Sequence, residues 1–257
     1  MSFQHVPVTT VADALAAMKQ HGEGGKVYAG GVALSILMKS RIYQPKALID
    51  IARVKELSFI EGTPEGGLRI GAGTVHRLVE TSPLVRPASD PPAALLVLDA
   101  RMKARRVDGR ERIIPAGEFW TGYYECALGP DELLTEIEID PLPPGFRTAC
   151  TRFTTRSKED KPCISISAAV ATEADGRTCR QVRVGLGGVE AIFRRLGAVE
   201  EGLAGKELTR QAIDGVLAGA LGDLDPLTDI RASDSYRRQV TPVFIRRTIE
   251  KALGRAS

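Results

Sequence analysis

Lys26-Val27-Tyr28-Ala29-Gly30-Gly31-Val32-Ala33-Leu34-Ser35-Ile36-Leu37-Met38-Lys39 is the stretch on which the fold reading turns. Residues 26–29 read as a short buried strand, Gly30-Gly31 breaks it, and residues 32–40 are apolar at the helical period. A strand running through a glycine turn into a helix leaves several backbone N–H groups unpaired at the helix start, with the helix dipole reinforcing them. Ala29 to Ser35 is therefore a candidate cradle for a diphosphate. The plainer reading of the same residues is a tight connection that uses glycine for its backbone angles alone.

Upstream, residues 11–19 place apolar side chains at helical spacing after Thr9-Thr10, whose hydroxyls can cap the first turn, and Gly22, Gly24 and Gly25 then break the chain. Downstream, residues 47–51 read as a strand and 54–57 as a helical turn. Residues 59–62 and 68–71 form a hairpin across Pro64, Gly66 and Gly67. Thr74 is placed to cap a helix over 75–80, and Pro83, Pro87, Pro91 and Pro92 exclude regular structure between Thr81 and Pro92. Residues 93–98 read as a helix or buried strand, and Asp108-Gly109 between two extended runs is a hairpin signal. After residues 132–139, Pro141 and the linker Leu142-Pro143-Pro144-Gly145 divide the chain into a first domain, 1–143, and a second, 146–257.

The second part opens with extended segments at 148–155, 163–172 and 181–189. In the last, Val182, Val184 and Leu186 alternate with Arg183 and Gly185, the period of a strand with one face covered. An antiparallel sheet follows. Helical patterns cover 191–203, 210–221 and 233–253, with Pro242 expected to kink or divide the last. Strands first and helices after is α+β logic.

Composition narrows the function. The 257 residues are 43% hydrophobic and 26% charged, with 35 Lys and Arg against 32 Asp and Glu, the balance of a soluble globular protein without a strong pull toward nucleic acid or membrane. Apolar runs such as residues 93–98 fall far short of the ~20 residues that cross a bilayer. The first residues lack the basic and apolar regions of a signal peptide, so a cytoplasmic location is expected. Four scattered cysteines, Cys126, Cys150, Cys163 and Cys179, and three histidines, His5, His21 and His76, offer no metal-site spacing, so reduced and mostly buried thiols are expected. The six basic residues within 101–112 alternate with Asp108 and Glu111 and lack stacking aromatics, which favours a solvated hairpin over a nucleic-acid surface. Asp90, among prolines, is a turn former or a site residue. Ser35, Ser89 and Ser167 have no His or Asp at triad spacing, and no catalytic side chain is assigned.

The glycine turn is similar to an A-G-G-x-[ST]-L-x-P-x-M-K motif. Pro45-Lys46-Ala47-Leu48-Ile49-Asp50-Ile51 is similar to P-x-x-L-[IV]-D-[IL], and Leu68-Arg69-Ile70-Gly71-Ala72-Gly73-Thr74 to L-x-I-G-A-x-T. Ala88-Ser89-Asp90-Pro91-Pro92-Ala93-Ala94-Leu95-Leu96, residues 119–134 with Glu132-Leu133-Leu134, Arg156-Ser157-Lys158-Glu159-Asp160, Val184-Gly185-Leu186-Gly187-Gly188-Val189 and Arg231-Ala232-Ser233-Asp234-Ser235-Tyr236-Arg237-Arg238 follow in order. Together they resemble the FAD-binding medium subunits of molybdenum hydroxylases, the carbon monoxide dehydrogenase and xanthine dehydrogenase flavoprotein family.

That resemblance implies a two-part FAD-binding domain followed by an antiparallel sheet with helices, the family's C-terminal flavoprotein domain. It implies FAD as cofactor, held by the backbone of Ala29, Gly30, Gly31, Val32, Ala33, Leu34 and Ser35, by Asp90 at the ribityl or adjoining part, by Leu134 near the flavin ring, and by Lys158. It further implies an oxidoreductase subunit in a hetero-oligomer. A molybdopterin-binding large subunit oxidises substrate, a [2Fe–2S] small subunit relays electrons, and FAD delivers them to an acceptor.

One departure stands out. Where such proteins carry a few tens of residues with a second glycine loop, T-[IV]-G-G-N, Arg86 here runs through Pro87 into Ala88. The shortening predicts a smaller, looser first domain in which Leu95, Leu96 and Leu98 lose partners. It also raises an alternative, a flavin-deficient homologue that keeps the fold and the subunit contacts.

Overall fold

A computed structural model describes residues 3–85, 91–157 and 160–255. In chain order the elements are β1 (Gln4–Pro7), α1 (Val11–His21), β2 (Gly25–Tyr28), α2 (Val32–Lys39), β3 (Ala47–Asp50), β4 (Ile60–Gly62), β5 (Leu68–Gly71), α3 (His76–Thr81), α4 (Pro91–Val97), β6 (Arg101–Arg106) and β7 (Glu111–Pro115). They continue with α5 (Ala116–Phe119), β8 (Trp120–Gly122), β9 (Glu125–Cys126), β10 (Glu132–Ile139), β11 (Phe146–Phe153), β12 (Ile164–Thr172), β13 (Cys179–Gly187), β14 (Arg194–Arg195), α6 (Gly197–Leu203), α7 (Arg210–Ala220) and α8 (Asp234–Ala252). Mixed helix and sheet, in an α+β arrangement, is the fold class. The chain forms two compact units: Met1–Pro87 with Arg101–Pro115 and Ala127–Asp140, and Ala88–Ala100 with Ala116–Cys126 and Pro141–Ser257.

The first unit holds two sheets. Three parallel strands lie in the order β1-β3-β2, with Ile49 level with Val6 on one side and Val27 on the other. Five antiparallel strands lie in the order β4-β5-β10-β6-β7. Thr10 caps α1 as its sequence suggests, its hydroxyl accepting from the Asp13 N–H at 3.0 Å. Val11, Ala14, Leu15 and Met18 of that helix share a core with Ile49, Ile51, Leu57 and Leu133. Thr74 does not cap α3. Its hydroxyl accepts from the Phe59 N–H and donates to the Phe59 carbonyl, tying the end of β5 to the strand before it, and Val75 stands at the helix start. The Asp108-Gly109 hairpin forms as expected, with Gly109 at φ +87°.

In the second unit β11, β12, β13 and β14 make an antiparallel sheet. Ile164, Ile166, Ala168 and Val170 of β12 join Val182, Val184 and Leu186 of β13 and residues of α6, α7 and α8 in one core. The opposite face, expected to be open, is covered by α4. Period two puts Ser165, Ser167, Ala169, Arg183 and Gly185 there. Arg183 donates to the Val97 carbonyl and pairs with Asp99 at 2.8 Å, and a side-chain carbon on Gly185 would lie 2.5 Å from the Ala93 carbonyl oxygen. Coverage on both faces explains why β12 is buried from Ile164 to Ala171. It also corrects the expectation for residues 93–98. Leu96 is 1% exposed, packed on this sheet, and Leu95 and Leu98 are half-buried.

Two helix readings change as well. Residues 191–196 are not helical: Arg194-Arg195 forms the edge strand, held by Glu190, Asp223, Asp99 and Glu200, and α6 begins only at Gly197. Pro242 does not divide the last helix, because Arg237, Thr241, Ile245, Thr248, Ile249 and Ala252 bury one continuous face on both sides of it. Two of the four cysteines, Cys163 and Cys179, are buried; Cys150 is half-buried and Cys126 exposed, and all four are unpaired thiols.

Candidate functional site

Because β1, β2 and β3 run parallel, their carboxyl ends share one edge, the edge at which ligands settle in open parallel sheets. The Gly30-Gly31 turn leaves that edge from β2. Gly31 is the N-cap of α2 at φ +70°, a left-handed conformation that suits glycine, and no side chain caps the helix among the described residues. The first-turn N–H groups of Val32, Ala33 and Leu34 have no intrahelical acceptor, whereas the Ser35 N–H already bonds the Gly31 carbonyl at 2.8 Å. The Ser35 hydroxyl is also occupied, donating to the Val32 carbonyl. A side-chain carbon added at Gly30 would meet nothing within 4 Å among the described residues, which leave the space above the turn open. Val32 is 75% exposed and no residue of α2 is buried. An uncapped, acid-free helix start next to open space fits an external anion such as a diphosphate.

Beneath the turn lies a network that sequence reasoning missed. The Tyr28 hydroxyl donates to Asp50 Oδ2 at 3.1 Å and lies 3.2 Å from His5 Nε2, which is itself 3.1 Å from the same oxygen. Asp50 Oδ1 accepts from the Ala52 N–H. Burial works to raise the Asp50 carboxyl, but the bonds from Ala52, His5 and Tyr28 outweigh it and hold the group below the ordinary aspartate range. Burial, then the Asp50 bond and charge, push the Tyr28 phenol upward. Asp50 stood in a quoted motif and Tyr28 directly before another; His5 carried no sequence signal.

Leu134 lies half-buried on β10, in the five-stranded sheet rather than at the glycine turn, beside the irregularity between Leu134 and Glu136. Asp90 and Lys158 lie outside the described residues. Near Lys158 in sequence, Arg156 donates to the Ile230 carbonyl, and Lys161 sits over the Tyr124 ring, 4.4 Å from its centroid.

The six basic residues of the β6–β7 hairpin are all matched with carboxylates: Arg101 with Glu138 and Asp140, Lys103 and Arg105 with Glu111, Arg106 with Asp131, Arg110 with Asp108, and Arg112 with Glu132. A cavity of about 300 Å³ lies beside them, lined by Arg69, Lys103, Arg105, Glu56 and Glu136 among others. Its cations are likewise paired, Arg69 with Glu136 and Glu61. The cations of both features are matched by carboxylates, so neither presents a free positive charge to an anionic ligand.

The family profile described as the FAD binding domain in molybdopterin dehydrogenase matches residues 1–87 and 84–143, and the profile for the CO dehydrogenase flavoprotein C-terminal domain matches 152–252. The chain belongs to the FAD-binding medium-subunit family of the molybdopterin dehydrogenases. Within this family, it is 30% identical to the carbon monoxide dehydrogenase medium chain of Afipia carboxidovorans, over 99% of this chain and 98% of that one. It is 29% identical to the 6-hydroxypseudooxynicotine dehydrogenase complex subunit alpha of Paenarthrobacter nicotinovorans, over 99% and 96%. The structure of carbon monoxide dehydrogenase from Hydrogenophaga pseudoflava superposes with a TM-score of 0.90 at 25% identity, covering 100% of this chain and 99% of that one. The medium subunits of these molybdopterin dehydrogenases are FAD-binding components of oxidoreductases, and FAD is the cofactor of this one. Nothing in these comparisons favours a flavin-deficient homologue. The alignment with the Paenarthrobacter subunit spans 287 positions against the 257 residues here, so positions of that relative have no counterpart in this chain.

Proposed function

We propose that this chain is the electron-transfer subunit of a molybdenum hydroxylase complex and grips the FAD diphosphate at the Gly30-Gly31 turn. The observation that carries the reading is the open, uncapped start of α2 at the carboxyl edge of the parallel sheet, in a member of an FAD-binding family. Main-chain N–H groups of residues 30–34 hold and orient the twin anions, and the absence of side chains at 30 and 31 lets the phosphates approach the backbone. By resemblance, Asp90, Leu134 and Lys158 belong to the same cofactor's surroundings. FAD, when bound, supplies the redox chemistry that takes electrons from a [2Fe–2S] small subunit, fed by a molybdopterin-binding large subunit, to an external acceptor.

In this proposal residues 1–143 are the cofactor-binding part and 146–257 the second family domain. The positions lacking against relatives fall at residues 86–88, where the second glycine loop of such proteins would stand; the two pieces of the first family match meet at 84–87 in support. A cytoplasmic location belongs to it too, and four unpaired thiols suit that compartment.

The test is co-expression with both partner subunits, followed by flavin absorbance of the purified complex. The wild-type complex is expected to carry FAD. Gly30→Val, whose added carbon meets no atom of the described residues within 4 Å, is expected to lose it while folding normally. Undiminished flavin in Gly30→Val would overturn the placement at the turn. A colourless wild-type complex would overturn the function.

A further inference from the structure

We infer that His5, Asp50 and Tyr28 form a positioning device for the glycine turn: a strut whose hydroxyl end is pinned across all three parallel strands and whose ring sets the position of Gly31. This rests on the reading of the turn as the FAD diphosphate site. A side-chain carbon on Gly31 would lie 3.3 Å from Tyr28 Cδ2 and 3.5 Å from Cε2, so the tyrosine ring fills the space on the side-chain face of the residue that carries the left-handed bend. The far end of the same ring is fixed by Asp50 at the end of β3 and His5 on β1. Asp50 is in turn fixed by the Ala52 N–H, and the Tyr28 carbonyl accepts from the Ile51 N–H at 3.0 Å, so both ends of the strut are anchored to the chain after β3.

The geometry has a direct consequence for binding. N–H groups grip a diphosphate only while they converge on it, and a hydrogen bond weakens steeply as its angle opens. The α2 helix offers no buried side chain to steady that alignment from its own side. Its orientation at the first turn therefore depends on what lies under Gly31. None of the three residues needs to touch the cofactor; they act through the turn.

The experiment compares Tyr28→Phe, Asp50→Asn, the double variant and Gly30→Val in the complex with its partner subunits. It measures the dissociation constant of FAD and the melting temperature of the flavin-free protein. Tyr28→Phe keeps the ring and removes only its tether. We expect about tenfold weaker FAD binding in Tyr28→Phe and in Asp50→Asn, the worth of about one hydrogen bond. We expect no further loss in the double variant, and flavin-free melting close to wild type in all.

FAD affinity unchanged in Tyr28→Phe while Gly30→Val abolishes binding overturns the strut and leaves the diphosphate site standing. Affinity unchanged in Gly30→Val overturns the site itself. Losses that add in the double variant, or that track an equal fall in flavin-free melting temperature, assign the three residues to folding and also overturn the strut.

Discussion

Gly30 and Gly31 sit side by side and make opposite demands. Gly31 is fixed by the chain itself, through φ +70° and the Tyr28 ring, whereas none of the described residues fills the space beside Gly30. A substitution at Gly31 therefore mixes backbone strain with blocked approach, and Gly30→Val isolates the second. A different kind of residue-scale control is visible at Asp175. Its carboxylate accepts from the Arg177 and Thr178 N–H groups at 2.8 and 2.9 Å and from the Thr178 hydroxyl at 2.5 Å. The Thr178 hydroxyl foremost, then the two N–H groups, pull its pKa down to about 2. A depressed carboxyl contributes stability that is complete above the ordinary value near ~3.9 and lost as pH falls through the folded one. The Asp175 carboxyl is thus expected to titrate by NMR with a midpoint near its folded value, about 2. A midpoint in the ordinary aspartate range would show that the turn does not hold it. At this scale the glycine turn was legible because glycine has few reasons to be doubled between a strand and a helix. His5 was not legible, because its meaning depends on a strand pairing between residues far apart in sequence.

Elements were legible where their pattern was local and misread where partners decided. The α1 helix and the β6–β7 hairpin follow from a cap, a period and an Asp-Gly turn. Residues 191–196 have helical periodicity, yet four carboxylates draw Arg194 and Arg195 into an edge strand, a tertiary preference that no local window contains. The β13 strand gave half of its environment: the valines announced one covered face, while Gly185 and the small residues opposite it on β12 kept silent about the other. Those small residues let α4 approach until the Ala93 carbonyl lies against Gly185. Gly185→Ala is accordingly expected to lower stability by about 1–3 kcal/mol, the usual range for overpacking a fitted contact. Chemical denaturation measures it, and a neutral result would mean that α4 is free to shift outward.

For the whole molecule, resemblance carried further than periodicity: the ordered motifs gave the fold class and the flavin before any contact was known, and the family matches agree with them. What they could not give was the fate of the helix that begins at Pro91. Sequence order suggested that it belongs with the part before it, but Ala93, Ala94, Leu96 and Val97 are buried in the second compact unit. The chain enters that unit, leaves for β6 and β7, returns for α5, β8 and β9, leaves again for β10, and comes back for good. A polypeptide stopped after residue 143 would strip α4 of the strands it lies on. It is expected to be insoluble or to be cleaved by protease within residues 91–100, and a well-protected fragment of that length would contradict this interleaving. Ribosomal synthesis meets the same constraint: the bed for α4 emerges some seventy residues after the helix does, so this protein must wait for its own tail before its middle can settle.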